Sequence, residues 1–182
     1  MPRLFIAIPL DEGVTDNLAR VDTAANLRGA RWVPAENMHL TLAFLGDVDP
    51  PRLPELEEAL FTASAEVLEP LRLRVQGIGA FPDELAVRTL WAGLDGDVPQ
   101  LIELRKRVTQ ELKLRGFDFD QRRFRPHITL ARLRQAQPMP ERLPRLQQFG
   151  ELVIDELQLV ESHLHSTGAR YVVRSDVPLG LE

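Results

Sequence analysis

Cysteine is missing from this chain of 182 residues, and its absence excludes several kinds of site. Without a thiol the protein has no disulfide, no thiolate metal site and no cysteine nucleophile. Lysine is almost as scarce, with 2 lysines against 20 arginines. Histidine occurs only four times, so any chemistry that needs an imidazole depends on very few positions.

Long hydrophobic runs are missing too. No apolar stretch approaches the roughly 20 residues of a membrane span. The segment MPRLFIAIPLDEG has too short an apolar run for a secretory signal. The formal net charge of −5 argues against a protein that packages nucleic acid. We therefore expect a cytoplasmic protein with no membrane contact and no evident protein partner, present as a monomer.

The hydrophobic periodicity predicts both helices and strands, and no linker or low-complexity segment interrupts it, so we expect one domain over residues 1–182. Apolar residues at three- and four-residue spacing predict helices over 14–27, 52–68 and 98–115. The last of these is followed by Gly116, a suitable helix C-cap. Alternating or continuous apolar runs predict strands over 3–10, 38–46, 71–81, 84–94, 124–133, 151–165 and 170–179.

Two halves of this pattern are similar. A strand, a helix and a second strand occupy the first half, and hairpin strands, a helix and a further strand follow in the second. The strand that ends each half, near 38–46 and 124–133, has a helix before it at a similar offset. We interpret this order as an internal pseudo-repeat of about 90 residues.

The same short motif stands in both of these strands, as MHLTLA in the first and PHITLA in the second. Because residues two apart in a strand point to the same face, His39 and Thr41 share a face, as do His127 and Thr129. The intervening leucine and isoleucine side chains then face the core. A pseudo-two-fold axis would bring the two polar faces together across a groove.

Two imidazoles and two hydroxyls that converge suit phosphodiester cleavage. A neutral histidine can accept the proton of an attacking oxygen while a protonated one donates to the leaving oxygen. Hydroxyl groups can donate hydrogen bonds to the charged phosphoryl oxygens. Neither motif contains a carboxylate, so a reaction without metal or cofactor is expected.

At these residues the sequence resembles the two-histidine (2H) phosphoesterases, whose motif is H-x-T-x with x hydrophobic. RLFIAIPL, RWVPAENMHLTLAFLG, LWAGL, FRPHITLAR and the closing GARYVV are similar, in order, to the LigT-like branch of RNA 2′,3′-cyclic phosphodiesterases, also known as 2′-5′ RNA ligases. The resemblance implies a bilobal pseudo-two-fold α+β fold, with two antiparallel sheets that line a central cleft and helices packed outside.

The resemblance also implies an activity: hydrolysis of 2′,3′-cyclic phosphates at RNA ends, or of nucleotide 2′,3′-cyclic phosphates, to 2′-phosphomonoesters, with 2′-5′ ligation as the reverse path. If the roles of the family's motif residues apply at the matching positions, His39 is the proton donor and His127 is the proton acceptor. Thr41, Thr129 and Arg132 would bind the phosphate. The site is nearly symmetric, so the motifs by themselves leave the two histidine roles interchangeable.

Arg132 raises a geometric difficulty. It lies five residues after His127, so strict alternation sends it to the opposite face of the strand. Either the strand ends or bulges near Ala131, or the side chain reaches around the edge. Arg125 has the correct parity, but a surface charge would have it too.

Other residues invite a role of their own. His163 and His165 share a strand face with Glu161 and could in principle bind metal, but we expect a position near solvent or the cleft rim, and no metal. Four aromatic residues could stack on a base, but apolar strand contexts favour the core for all of them: Trp32, Phe44, Trp91 and Phe124. Phe5 and Phe81 are expected in the core on the same argument.

Two alternatives to the RNA enzyme stay open from the sequence. The first is a nucleotide- or RNA-binding module that keeps the cleft without turnover. The second is a phosphodiesterase for a small cyclic phosphate such as ADP-ribose 1″,2″-cyclic phosphate.

Overall fold

The structure, a computed structural model, describes residues 1–180, apart from the side chains of residues 23 and 24. The helices are α1 (Glu12–Ala19), α2 (Val21–Ala25), α3 (Leu53–Ala65) and α4 (Val98–Leu114). The strands are β1 (Arg3–Ile8), β2 (Ala30–Trp32), β3 (Leu40–Asp47), β4 (Leu71–Phe81), β5 (Val87–Gly96), β6 (Ile128–Gln137), β7 (Gln148–Ile154), β8 (Glu156–His165) and β9 (Gly168–Pro178).

All strands pair in the antiparallel sense, in the order β7-β4-β5-β6-β3-β1-β8-β9, with β2 added to β6. The order divides into two halves, β7-β4-β5-β6 and β3-β1-β8-β9. The halves meet at one residue pair, Leu40 opposite Ile128, which we call the juncture. The predicted bilobal α+β fold is therefore confirmed, with the finding that the two sheets are continuous through the juncture.

One hydrophobic core runs through both halves. The apolar stripe of α4 is buried at three- and four-residue spacing, and Gly116 adopts the positive φ of a C-cap. Helix α3 packs against α4 and β9, while α1 packs against β7 of the other half. The helices therefore lie on the core face of the sheet, and the opposite face is left to form a cleft.

Two predicted boundaries were wrong. The helix expected over 14–27 is divided at Arg20 into α1 and α2, and it ends at Asn26 in the left-handed region. The strand expected over 151–165 is two strands separated by Asp155, because β7 pairs with β4 and β8 pairs with β1. The chain thus crosses between the two halves at one residue, without a turn signal in the sequence.

Within the described chain, no helix has both the length and the apolar character needed to cross a lipid bilayer.

The burial of the juncture predicts that truncation of its side chains destabilises the fold. Ile128 is fully buried there, so Ile128→Ala should lower the free energy of unfolding by ~2–5 kcal/mol in urea denaturation. Leu114→Ala is the control, because Leu114 is 74% exposed at the end of α4 and should change stability by less than about 0.5 kcal/mol. Equal losses in the two variants would contradict the importance of the juncture.

Candidate active site

The two histidines stand one residue before β3 and β6, on either side of the juncture. Leu40 lies opposite Ile128 in an antiparallel pair, so the residue before one lies across from the residue after the other. By this register His39 lies across from Thr129, and Thr41 lies across from His127. All four residues are half-buried, while the residues between them are buried. The structure therefore brings the two predicted motifs together on one face, with each histidine next to the threonine of the other motif.

A β-bulge interrupts each motif strand at the same place. In β3 the register against β1 shifts by one residue at Leu42, and in β6 the register against β5 shifts at Leu130. After each bulge the alternation of faces is inverted, so the burial patterns of residues 39–45 and 127–133 are identical. This agreement supports the pseudo-repeat inferred from the sequence.

The bulge at Leu130 explains which face of the strand Arg132 occupies. Its side chain is exposed on the same face as Thr129, instead of entering the core as strict alternation would require. The equivalent position in β3 holds Phe44, which is 46% exposed. The cleft thus has a cation on one side and an aromatic ring on the other at otherwise matching positions.

Hydrogen bonds from other elements hold both bulges. The Leu42 carbonyl accepts a hydrogen bond from Arg105 Nε at 3.4 Å, and the Leu130 carbonyl accepts one from the Val33 backbone N–H at 2.8 Å. Arg105 comes from α4 and is partly buried, which lowers its pKa. Because a bulge frees backbone groups from the ladder, such outside partners stabilise it.

Each imidazole has a hydrogen bond to the backbone carbonyl two residues earlier, and this bond sets its tautomer. His39 Nδ1 lies 2.7 Å from the carbonyl oxygen of Asn37, and His127 Nδ1 lies 2.6 Å from that of Arg125. A carbonyl oxygen can only accept, so Nδ1 carries the proton in both rings. Nε2 is then the nitrogen of each histidine that is available to exchange a proton with a ligand.

Aromatic rings enclose the imidazoles. His39 packs against Phe5, with ring centroids 4.8 Å apart, and against the edge of Tyr171 at 5.3 Å. His127 meets Phe81 at 5.0 Å in a T-shaped contact. His39 is therefore held between two rings, whereas His127 has one and is the more open of the pair.

This enclosure lowers the pKa of both histidines. The largest cause is burial, which penalises the charged imidazolium. The hydrogen bond to the backbone carbonyl opposes this effect, and the positive charge of Arg132 adds to it. Burial raises the pKa of Tyr171, and the positive charge of Arg132 opposes that rise. One arginine thus acts electrostatically on both histidines.

Arg132 itself forms no ion pair with any residue in the range 1–180. An unneutralised guanidinium beside two imidazoles and two hydroxyls favours an anion as the ligand. Arg125 contributes differently: its carbonyl orients His127, and its guanidinium lies 5.7 Å from the centre of the Phe81 ring.

The hairpin of β8 and β9 completes the wall around His39. Asn37, whose carbonyl orients His39, also donates a side-chain hydrogen bond to the Ala169 carbonyl at 2.8 Å. That bond ties the turn before β3 to the strand that carries Tyr171. Sequence reasoning identified neither Asn37 nor Tyr171, because neither belongs to a repeated motif.

The aromatic residues expected in the core differ in their outcome. Phe5 is buried, but in the small cluster beneath His39 and not in the main core. Phe44 is exposed, so its prediction was wrong, and Phe81 is half-buried against His127. Trp91 lies opposite Thr129, and its Nε1 is buried without a hydrogen-bond partner among the described residues. Trp32 and Phe124 pack against the main core.

The two remaining histidines lie away from this site. His163 and His165 are exposed near the tip of the β8–β9 hairpin, as expected, and His163 Nε2 is 3.4 Å from Glu161. Among residues 1–180, no group of three or more histidine, aspartate or glutamate side chains is placed to hold a metal ion.

Comparisons with known proteins match almost the whole chain. The family model described as LigT like Phosphoesterase matches residues 8–91 and 94–171. A Thermus thermophilus protein named RNA 2′,3′-cyclic phosphodiesterase is 36% identical over 94% of this chain and 87% of its own length.

Two solved structures extend the likeness to the fold. The crystal structure of Thermus thermophilus TT0787 superposes with a TM-score of 0.79 at 33% identity, over 99% of this chain and all of the other. Escherichia coli LigT in complex with 3′-AMP gives a TM-score of 0.78 at 28% identity, over 98% of both chains.

The lowered histidine pKa values predict how stability depends on pH. Unfolding returns each imidazole to its ordinary pKa of 6.5, so the unfolded chain binds more protons below that pH. The free energy of unfolding should therefore fall as the pH drops through 6.5 and level off below the folded-state pKa values. The slope is at most about 1.4 kcal/mol per pH unit for each histidine.

Urea denaturation between pH 5 and 8 measures this slope. His39→Gln and His127→Gln should each flatten it, and His165→Gln, at an exposed position, is the matched control. A slope that neither cleft variant reduces would contradict the enclosure of the imidazoles.

Proposed function

Because the chain belongs to the LigT-like phosphoesterase family, we propose that it hydrolyses 2′,3′-cyclic phosphates at RNA ends to 2′-phosphomonoesters. The family membership confirms the prediction of a phosphoesterase. The specific substrate is supported by the Thermus thermophilus relative, which is named RNA 2′,3′-cyclic phosphodiesterase, and by the 3′-AMP bound to Escherichia coli LigT. The observation that carries the proposal is that two histidines directly precede the paired residues Leu40 and Ile128, and that each has its Nδ1 hydrogen-bonded to a backbone carbonyl.

In the proposed reaction a water molecule attacks the phosphorus of the cyclic phosphate. His127 Nε2 accepts a proton from the water as the new P–O bond forms, and His39 Nε2 donates a proton to the 3′ oxygen as its bond to phosphorus breaks. The product is a 2′-phosphate with a free 3′ hydroxyl. Proton exchange with solvent then returns both histidines to their starting states.

Two observations support this assignment of roles. His127 is the more open imidazole, so water can approach it more easily. His39 is enclosed by Phe5 and Tyr171, which suits a group that protonates a bound leaving oxygen instead of a solvent molecule. The reverse path, 2′-5′ ligation, would exchange the two roles by microscopic reversibility.

The phosphoryl oxygens need donors as negative charge grows on them. Thr41 and Thr129 supply hydroxyl donors from the same face as the histidines, and Arg132 supplies a fixed positive charge. These residues are preorganised by the strands and their bulges. The proposed reaction therefore assigns no step to a metal ion.

A cytoplasmic location and a monomeric state, both predicted from the sequence, are part of the same proposal. Sedimentation equilibrium of the purified chain would test the second.

Turnover by single variants is the first test. In EDTA, the protein should convert 2′,3′-cyclic AMP and an RNA oligomer ending in a cyclic phosphate to 2′-phosphate products. His39→Ala and His127→Ala should each lower kcat by about 10²–10⁴-fold while the circular dichroism spectrum is retained.

His165→Ala is the control and should keep full activity. Full activity in either cleft variant would contradict the paired mechanism, and turnover that requires added metal would contradict its metal independence. Binding of 3′-AMP without any turnover would instead favour the non-catalytic module, and turnover of ADP-ribose 1″,2″-cyclic phosphate alone would favour the small-molecule enzyme.

The pH dependence of kcat/KM is the second test. A pair of histidines that acts as acid and base gives a bell-shaped profile set by the free enzyme. Because the pKa of both lies below 6.5, the maximum should lie below about pH 6.5. Arg132→Gln removes a charge that lowers both values, so it should move the maximum to higher pH as well as reduce the rate.

Arg107→Gln removes a positive charge from α4 and should leave the maximum where it was. A maximum above pH 7.5 in the unmodified protein, or no displacement in the Arg132 variant, would contradict the electrostatic assignment.

A further inference from the structure

Beside His39 the cleft opens into a pocket of about 470 Å³ that the reaction described above does not use. Phe5 and Tyr171, which enclose His39, form its inner wall, and Arg132 borders it. Its outer part is lined by Arg3 and Phe44, with the β8–β9 hairpin along one side. The pocket is thus continuous with the site and extends away from it.

The pocket is positively charged in a protein whose net charge is −5. Three arginines line it against one aspartate. Asp120 is already engaged, because its carboxylate accepts hydrogen bonds from the Arg122 backbone N–H at 3.0 Å and from Arg122 Nε at 2.8 Å. Two cations, Arg132 and Arg3, are left without an ion pair among the residues described here.

Arg3 is too far from the histidines to share their phosphate. It lies on β1 five residues from Ile8, which stands opposite Leu40 at the juncture, and five residues of strand span roughly 16 Å. Asp47 is its cross-strand neighbour, but the two side chains form no ion pair. Arg132 can serve the reacting phosphate, and Arg3 needs a second anion farther out.

An exposed aromatic ring lies between these two charges. Phe44 is opposite Phe5 in the ladder, and their ring centroids are 5.8 Å apart, so one side of Phe44 is supported while 46% of the residue stays open. Its backbone carbonyl accepts a hydrogen bond from the Asp120 backbone N–H at 2.9 Å, which fixes the strand at this point. A rigid, half-open ring between two arginines fits a base that is flanked by phosphates.

We propose that this pocket binds the last nucleotide of a single-stranded RNA, with its base against Phe44 and the phosphodiester on its 5′ side against Arg3. The inference rests on the proposed function, since it takes the reacting cyclic phosphate to lie between the histidines. Arg3 then distinguishes an RNA end from a free nucleoside cyclic phosphate, because only the RNA carries that second phosphate.

The test compares 2′,3′-cyclic AMP with a dinucleotide and a longer oligomer that end in the same cyclic phosphate. Arg3→Gln should lower kcat/KM for the dinucleotide and the oligomer by about tenfold, and leave cyclic AMP unchanged. The dependence of log(kcat/KM) on log salt should become shallower by about 0.7 for the RNA substrates only. Phe44→Ala should raise KM for all three substrates, because each carries a base.

Arg107→Gln, on α4, is the matched loss of charge and should change none of these values. An equal effect of Arg3→Gln on cyclic AMP and RNA, or no effect on either, would overturn the proposal. If no cyclic phosphate is turned over, the proposed function fails, and calorimetric binding of a dinucleotide 2′-phosphate and of 2′-AMP decides the inference separately. Arg3→Gln must then weaken only the dinucleotide.

Discussion

The juncture of Leu40 and Ile128 is the contact on which the rest of the site depends. Each half of the sheet contributes one motif, with its histidine, its threonine and its bulge at Leu42 or Leu130, and neither motif supplies an acid–base pair alone. Because the pairing is antiparallel and the two buried residues follow the histidines directly, one backbone pair fixes the relative position of all four polar side chains. The core beneath it makes that position rigid, so the cleft is an outcome of the packing on the opposite face.

The two histidines are controlled without any carboxylate. Backbone carbonyls set the tautomer, aromatic rings partly bury the imidazoles, and Arg132 adds a positive charge from the cleft itself. A carboxylate partner would have raised the imidazole pKa, whereas a neutral carbonyl orients the ring with a weaker effect on its charge. The matching positions that follow the bulges break the symmetry, since one holds Phe44 and the other Arg132.

Much of this could be predicted from the sequence. Periodicity indicated the helices and most strands, and the repeated motif identified four side chains that do share one face. The bulges could not be predicted, because they are set by pairing with β1 and β5, and a local pattern of leucine and alanine reads the same with or without them. For that reason Phe44 was assigned to the core and Arg132 had no certain face. The break at Asp155 was missed because hydrophobic alternation continues across it while the pairing partner changes.

The bulges also determine which face of the sheet each later residue of the motif strands points to. If the same residues paired in strict alternation, without a bulge at Leu42 or Leu130, Phe44 or Arg132 would turn into the core and Leu45 or Leu133 would turn to the cleft. Register is therefore a chemical property of these two strands: a slip of one residue beyond Leu42 or Leu130 exchanges the polarity of both faces, although every side chain is unchanged.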